Sequence, residues 1–513
     1  MKKLLSLLTL CILSVKINAQ APTWNNKIGE IIYNNCSNCH HDGGIGPFEL
    51  MSYTDAFDHA SSIKYHTQDR HMPPWKADSD YRKFLGERKL STDEIQSIAD
   101  WVDSGSPLGT GTSPTPPTIK QGSQLDVLDM SNTSPAYTVQ KTTDDYRTFV
   151  MSTNHTSKQY INAIEFLPSN ASIVHHIILY YDPTSYSRNL DNLDPLPGYA
   201  SNGTGAESPS AILIGLWTPG AGIFYLPSNM GYELPVGADL VMELHYAPNS
   251  NAKTDSTTVN FKYSTQSPVR AIQTELVLYH FPPVLLQPSL IIPANTVKEF
   301  SQRVNIGNFD ISLVGIFPHM HLIGKSYTVF ANKGVDTIPL IKIPDWDFHW
   351  QGFYTYQKLI KIPRLSYING KAVYDNTPNN PHNPSNPPLT VSAGENTKDE
   401  MMVCFIAYTA YQAGDENIIL DSTLLVSSTD FESIDKEISV YPNPASEKLN
   451  IKTSLSIKSL SIYSLEGKLI KVYTAEECRY GIIDVDIEED GMYLLNIETA
   501  NGPIFKKVIL RKE

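Results

Sequence analysis

The hydrophobic pattern changes period near residue 110, and no other feature limits the fold of this chain as much. Past that point the runs at 172–181, 239–246, 311–318 and 400–408 alternate apolar with polar residues, and turn-rich stretches separate them. Alternation of period two predicts half-buried strands, and about 300 residues of it are enough for two antiparallel β-sandwiches. They are expected at 124–275 and 276–428, with an Asn- and Pro-rich surface loop at 376–388 inside the second. Residues 24–107 read as helical instead. One helix is expected over 24–33 and another over 91–102, where Ser91 and Glu94 form a capping box and Ile95, Ile98, Trp101 and Val102 share a face. Between the two parts, Gly-Thr-Gly-Thr-Ser-Pro-Thr-Pro-Pro-Thr-Ile-Lys at 109–120 has the composition of a linker, stiffened by its prolines. With the linker assigned to 109–123, the helical part is expected to be tethered to the β part rather than fused with it.

The N-terminus concerns export. Lys2 and Lys3, an apolar run from Leu4 to about Val15, and Ala19 before Gln20 have the order of a secretory signal peptide, assigned to 1–19. Cys11 lies too deep in the apolar run, behind Leu10, for a lipoprotein signal. No other run approaches the roughly 20 apolar residues that span a bilayer, so no transmembrane segment is expected in the mature chain. With 40 Lys and Arg against 54 Asp and Glu the formal charge is -14, which gives no reason to expect nucleic acid as a partner. Of the five cysteines, Cys11 leaves with the signal while Cys404 and Cys478 stand far apart, so no disulfide framework is expected.

The other two cysteines lie in Cys36-Ser-Asn-Cys39-His40. Two thiols at that spacing, followed at once by an imidazole, are the attachment signature of c-type haem. Cys36 and Cys39 are the expected thioether anchors, and His40 the expected proximal iron ligand. Met72, in the Pro-rich stretch Arg70-His71-Met72-Pro73-Pro74-Trp75, is the expected sixth ligand, with Met51 and His71 as its rivals. His41 is expected to be a solvated neighbour. Residues 20–108 resemble the cytochrome c family over their whole length, which implies a small all-α haem domain.

Three histidine clusters stand in the β region: His175-His176, His245 in Glu243-Leu244-His245-Tyr246, and His319-Met320-His321. Residues i and i+2 of a strand share a face, so His319 and His321 can point at one metal while Met320 points away. His175 and His176 would face opposite ways in a regular strand, so joint ligation needs a bulge or a strand end. Imidazoles suit copper, zinc, iron or nickel, and a thioether favours copper, above all in its reduced state. Glu400-Met401-Met402 supplies one near the end of the region.

That ordered set resembles the copper type II, ascorbate-dependent monooxygenases, the family of peptidylglycine alpha-hydroxylating and dopamine beta-monooxygenase. The resemblance spans about 125 to 428 and implies a jelly-roll form for both sandwiches. It implies that His175, His176 and His245 hold an electron-transfer copper and that His319, His321 and Met401 hold an oxygen-activating one. Met401 is preferred to Met402 because the family's ligand directly follows an acidic residue, here Glu400. The Arg, Asn and Tyr that peptide-amidating members place on the substrate side are replaced by Phe317, Val403 and Phe405, so a more apolar pocket without a carboxylate clamp is expected. The resemblance thus implies an exported oxidoreductase that hydroxylates a C–H bond of a small-molecule or peptide-like substrate with O2. Two copper ions and a covalent haem c would be its cofactors, with electrons passing through the haem and ascorbate or another small reductant as a further source. The competing expectation is an extracellular electron-transfer or copper- or ligand-binding haem protein without turnover.

The last segment, 434–513, contains Val440-Tyr441-Pro442-Asn443-Pro444, then Leu460 to Tyr463 with Glu466-Gly467, then Gly491-Met492-Tyr493-Leu494-Leu495-Asn496-Ile497, and closes on Phe505-Lys506-Lys507-Val508-Ile509-Leu510. It resembles the C-terminal sorting domain of the type IX secretion system, a small β-sandwich. The resemblance implies contact with that machinery and a final place outside the cell, released or surface-attached.

Overall fold

The computed structural model describes residues 21–119, 122–201, 206–267, 269–280, 284, 289–394, 396–420, 438–446, 448–453, 456–464, 469–485, 487, 490–499 and 502–511. The signal peptide expected at 1–19, linker residues 120–121, the stretch 421–428 and residues 434–437 lie outside the described residues. Among the described residues strand accounts for 42% and helix for 12%, so the protein is mainly β, with several sheets and a few helices. It divides into two compact units, Met1–Leu420 and Asp421–Glu513. Among the described residues no helix is long and apolar enough to cross a membrane.

In the first unit a five-stranded sheet runs in the order Tyr199–Ala200, Asp145–Ser152, Asp239–Tyr246, Val174–Asp182, Ile212–Trp217. Alternation decides its faces: Leu240, Met242, Leu244 and Tyr246 enter the core, while Val241, Glu243 and His245 face away from it. Phe149, Ile177 and Leu179 from this sheet meet Ile161, Ile164, Tyr232 and Phe261 from a nine-stranded sheet. A four-stranded sheet, Thr296–Asn305, Tyr367–Asn376, Gly324–Lys333, Asp336–Ile343, makes a second core with the other end of the nine-stranded sheet, through Phe300, Tyr327, Val329 and Tyr374 against Leu313, Ile316 and Ile406.

The boundary expected between 275 and 276 falls inside the strand Arg270–Leu278. Arg270, Ala271 and Ile272 pair in parallel with Met230, Gly231 and Tyr232. Further along, Gln273 to Leu276 pair antiparallel with Tyr408 to Phe405, and Leu278 with Cys404. One strand therefore belongs to both β halves. Alternation in a sequence reports which face a residue takes but not which strand lies beside it, and so misses such a splice.

The helical part begins with a π-helical turn, Trp24–Ile28, capped by Thr23 and continuing as the helix Gly29–Asn35. Thr92–Asp103 starts on the expected capping box: Glu94 N donates to Ser91 Oγ at 3.2 Å, and Ser91 N to the Glu94 carboxylate at 2.7 Å. Trp24, Ile28, Ile32, Ile63, Ile98 and Trp101 form a separate small core, with helices Tyr53–Asp58 and Ala60–Gln68 lying between in sequence.

A free tether is not what joins this part to the rest. Residues 75–88 form a strap on the second β half, where Ala77 and Phe84 enter its core. Phe84 stacks on Tyr356 at 5.3 Å. Asp78 N donates to Lys342 O at 2.8 Å and Leu85 N to Thr355 O at 2.7 Å. The Arg82 guanidinium donates twice to Pro339 O, at 2.8 and 2.6 Å, and Asp78 pairs with Lys342 at 2.9 Å. The linker is bound as well: Asn25 Nδ2 donates to the carbonyls of Gly109 and Gly111, each at 3.1 Å, and Ser113 Oγ donates to Asn25 Oδ1 at 2.7 Å. Linker composition reports chain stiffness, and it is silent about a strap supplied from thirty residues upstream.

The second unit has a three-stranded sheet (Ile438–Tyr441, Lys448–Thr453, Ile482–Asp484) and a four-stranded one (Leu469–Thr474, Ile457–Ser464, Gly491–Thr499, Gly502–Leu510). Leu449, Ile451, Leu460, Ile462, Leu495 and Ile497 fill its core. Cys404 and Cys478, one in each unit, are buried and free.

Two expectations about stability follow from these contacts. Removing a fully buried ring costs about 3–5 kcal/mol, so Phe84→Ala should lower the unfolding free energy by that amount and open the strap. Limited trypsin digestion, cutting at Lys83, would show it, and equal resistance of parent and variant would count against the strap. Arg147, 3% exposed, is gripped in two-pronged fashion by Asp194 at 2.9 and 2.8 Å. That guanidinium holds the Asp194 carboxyl down at about 2, against an ordinary 3.8. A depressed carboxyl stabilises the fold above its unfolded value, so the contribution is full above about pH 4 and is lost as pH falls toward 2. After solvent screening it amounts to about 1–2 kcal/mol, and Asp194→Asn should remove that much of the stability lost between about pH 4 and pH 2 in acid unfolding.

Candidate metal centres

His245 lies directly opposite His176 across the pair formed by Asp239–Tyr246 and Val174–Asp182. The next partner of Tyr246 is Val174, so His175 is the extra residue of a bulge. That bulge turns both adjacent histidines toward His245, which a regular strand cannot do. His175 Nδ1 and His176 Nδ1 are 3.2 Å apart, and His245 Nδ1 and His176 Nδ1 3.4 Å. One ligand nitrogen from each of the three lies within 4.8 Å of the others. Donors about 2.0–2.1 Å from one tetrahedral ion lie about 3.3–3.4 Å apart, so the three nitrogens fit a single metal.

Asp144 orients this set. Its Oδ1 is 2.7 Å from His245 Nε2, which fixes the proton on that nitrogen and leaves the Nδ1 lone pair for a metal. Tyr146 stacks on the His245 ring at 4.2 Å. Burial, and secondarily the charge of His245, push His175 down to about 3. His176 is lowered well below its ordinary range by the same causes, and His245 by burial against the pull of Asp144. The imidazoles are therefore neutral at physiological pH, the form that ligates.

The second set uses the opposite nitrogens. His319 ends the strand Ile311–His319 and His321 follows it, their ring centroids 5.0 Å apart, while Met320 turns into the core. His319 Nδ1 is hydrogen-bonded to Gln351 Oε1, and Gln351 Nε2 donates to Phe348 O at 2.8 Å, which settles the orientation of the amide. His321 Nδ1 donates to Asp399 O at 3.1 Å. Both Nε2 atoms are left for a metal.

Buried Glu400 ties this set together by accepting from the backbone N–H groups of His321 at 3.0 Å, Ile323 at 2.9 Å and Met401 at 3.1 Å. Burial raises its carboxyl to about 8, with those amides pulling the other way. Met401 and Met402 part company here. Met401 lines a cavity with His319 and His321, whereas Met402 is fully buried in the core and its carbonyl accepts from Gln302 Nε2 at 2.5 Å. Of the two methionines it is thus Met401 whose thioether shares a cavity with the histidine pair.

That cavity, about 270 Å³, also reaches His176 of the first set. Phe317, Val403, Phe405 and Leu276 give it apolar walls. Phe317 and Phe405, paired residues of neighbouring strands, stack side by side on one of those walls, 6.0 Å between centroids. A second cavity, about 380 Å³, lies beside Asn38 and Arg88 of the helical part, and Leu216, Thr218 and Gln351 line both.

In the helical part, Cys36 caps the helix Gly29–Asn35, and His40 N donates to Cys36 O at 3.0 Å. His40 Nδ1 is 2.9 Å from Phe48 O, leaving Nε2 for iron. A Cβ on Gly46 would come within 2.6 Å of His40 Nδ1, so only glycine allows the loop to fold over that ring. Burial lowers the His40 pKa, which favours the ligating neutral form. These residues suit a covalent haem. His41 bonds to Asp42 O at 2.8 Å instead. Met72 and His71 both donate their backbone N–H to His66 O at 3.0 Å, and the Met51 amide bonds to Asp55 at 3.0 Å. The motif touches the β part: Arg88 Nη1 donates to Pro219 O at 2.9 Å, and a Cβ on Gly220 would lie 2.7 Å from Cys39 Sγ.

Asp144, Gln351 and Tyr146 were not expected from the sequence. Gln351 is 32 residues from His319, and such second partners leave no periodic trace. His349 was missed too, although Asp347-Phe348-His349-Trp350 is an aromatic-rich turn with a histidine that no motif explained.

Residues 439–511 match the family model described as a secretion system C-terminal sorting domain. The chain thus carries a type IX sorting tail, which directs it to the outer cell surface or into the medium through contact with that machinery. Among solved structures, the chain is similar to the BSP domain of a biofilm-associated protein at 9% identity, with 77% of this chain and 85% of that one covered and a TM-score of 0.14. It also aligns with the major capsid protein P2 of bacteriophage PM2 at 10% identity, covering 53% and 99%, TM-score 0.21. A VP2 subviral particle of infectious bursal disease virus aligns at 9% identity, covering 57% and 75%, TM-score 0.17. Likeness at such scores carries no argument about fold or function.

Asp144 gives the first set a test. Loss of a carboxylate behind a metal-binding imidazole weakens metal affinity about 10–100-fold, so Asp144→Asn should do so while His245→Ala abolishes tight binding there. Chelator-competition titration reads both; unchanged affinity in both variants would remove these residues from any metal site.

Proposed function

We propose that the chain is an exported copper-dependent monooxygenase that hydroxylates a C–H bond of an apolar small-molecule or peptide-like substrate with O2. A covalent c-type haem on Cys36, Cys39 and His40 would bring its electrons, with Met72 as the sixth ligand. One observation carries the reading: His176 of the all-imidazole set lines the same apolar cavity as the imidazole pair His319 and His321 and the Met401 thioether. Imidazoles suit divalent copper and the thioether favours the reduced ion, which is the division expected of an electron-storing and an oxygen-binding site. The order of the six donors along the chain is that of the copper type II, ascorbate-dependent monooxygenases. When bound, copper and haem supply oxygen activation and two single electrons for the balance R–H + O2 + 2e⁻ + 2H⁺ → R–OH + H2O.

The protein's own groups prepare that chemistry. Phe317, Val403 and Phe405 exclude water and hold an apolar group of the substrate beside His319. Gln351 and the Asp399 carbonyl keep the Nε2 atoms of the second set toward the cavity, and Asp144 keeps Nδ1 of His245 toward the first. Cys39 abuts Gly220, three residues after Trp217, and Trp217 pairs with Ile177, the neighbour of His176. A haem held by Cys36 and Cys39 would therefore lie beside the segment that runs from Trp217 to Gly220, which pairs with the strand bearing His176. Ascorbate or another small reductant remains a source upstream of the haem.

The test is metal and haem analysis of the mature protein, followed by oxygen uptake with peptides, phenethylamines and apolar compounds. Both copper sets filled, haem attached and substrate-dependent uptake are expected. Met401→Ala should lower product formation by roughly 100-fold or more and leave the haem spectrum intact. Zinc at both sets without uptake, or a Met401→Ala rate within about threefold of the parent, would overturn the enzyme in favour of an electron-transfer or ligand-binding haem protein.

A further inference from the structure

One short segment of the second β half touches both metal sets. The Trp346 indole donates to His321 O at 3.2 Å, the Phe348 ring meets His321 edge-on at 5.8 Å, and Gln351 holds His319. Those contacts belong to the second set. His349, in the turn Phe348–Trp350, goes the other way, and its ring centroid lies 5.7 Å from that of His175 at an interplanar angle of 79°. Within the first set the corresponding centroid distances are 4.7, 4.9 and 5.4 Å.

His349 is oriented as a ligand is. Its Nδ1 is 3.2 Å from Asp347 Oδ1, and the same oxygen accepts its backbone N–H at 2.9 Å. A carboxylate on Nδ1 fixes the proton there and leaves the Nε2 lone pair for a metal, the service that Asp144 performs for His245 with the two nitrogens exchanged. Asp347 is itself held by Lys76 of the strap at 3.6 Å, each side chain 12% exposed. The His349 side chain is 56% exposed. The first set is therefore closed toward the cavity by His176 and bounded on another side by a pinned but solvent-facing imidazole.

We propose that His349 is a fourth imidazole of the first metal centre, contributed by the second β half through the same turn that orients the second set. The inference rests on reading His175, His176 and His245 as a metal site, but not on any oxygen chemistry. Three nitrogens leave a four-coordinate ion one donor short, and divalent copper favours four nitrogen or oxygen donors in a tetragonal arrangement. The His349 ring meets that of His175 at 5.7 Å but stands outside the group whose ligand atoms all lie within 4.8 Å of one another, so its ligation requires this exposed ring to rotate toward the set. Such a site is incomplete without the second β half, and its occupation would steady the turn that carries Gln351.

The experiment uses the full mature chain with haem attached and His321→Ala in place, so that a single equivalent of divalent copper reports the first set. Electron paramagnetic resonance should show four coupled nitrogens in that background and three when His349→Ala is added. Chelator competition should show affinity weakened about 10–100-fold, with the thermal midpoint of the copper-free chain unchanged. Asp347→Asn, which leaves the ring in place, should weaken affinity without removing a nitrogen. An unchanged nitrogen pattern with affinity within about twofold after His349→Ala would overturn the proposal, as would a loss of affinity matched by unfolding of the copper-free chain. Copper held by three nitrogens already in the background overturns the role of His349 alone. No copper bound there at all overturns the metal-site reading and the enzyme with it.

Discussion

The strand Arg270–Leu278 holds the arrangement together, because it is hydrogen-bonded first to one β half and then to the other. Ile272 is buried in the first core, and Val277 and Leu278 are buried in the second. A hinge between the halves would break a continuous ladder and open two cores at once, at a cost far above thermal energy. The gap between the two histidine sets is therefore set by backbone, and Leu276 of the same strand forms part of the cavity wall between them. Fixed walls around an apolar space suit a site that must keep water out while it binds a poorly polar group.

Within that frame, the choice of ring nitrogen is made by neighbours outside the metal sets. Asp144 claims Nε2 of His245, so the first set faces inward through Nδ1; Gln351 and the Asp399 carbonyl claim Nδ1 of His319 and His321, so the second faces inward through Nε2. The two sets also differ in softness, three imidazoles against two with a thioether. Under the proposed function a soft donor would favour reduced copper at the second set, and the direction of electron flow would follow from donor chemistry.

What has a period or a spacing is legible in the sequence. The strands bearing His176, His245 and His319 lie in the runs that the pattern marks, although the latter two are buried on both faces rather than half-buried; Ser91 and Glu94 mark the helix Thr92–Asp103. The need for a bulge at His175 followed from the fact that neighbours on a strand face opposite ways. What escaped are pairings between distant segments: the splice at Arg270–Leu278, the strap through Phe84, and the Gln351 and Asp144 contacts. Each depends on which elements pack together, and hydrophobic pattern carries no label for a partner. His349 escaped for another reason. It lies in a turn, where no periodicity tells which way a side chain points.

The strap changes what the proline linker does. A helical part on a free tether would reach the β part by diffusion and dock anew at each encounter. Here Phe84 is in the core, and backbone bonds from Asp78 and Leu85 extend the hold. The exposed ion pair Lys76–Asp345, with Asp345 86% exposed, adds little beside them. Apolar burial and backbone hydrogen bonds are not screened by salt, so the contact of Cys39 with Gly220 does not depend on ionic strength in the way a charge-steered encounter would. The linker is then left with a simpler task. It carries the chain from the end of the helix Thr92–Asp103, along Asn25, back to the strand Met130–Thr133 at the far edge of the nine-stranded sheet. Proline stiffness suits a segment that must bridge two parts already fixed in place.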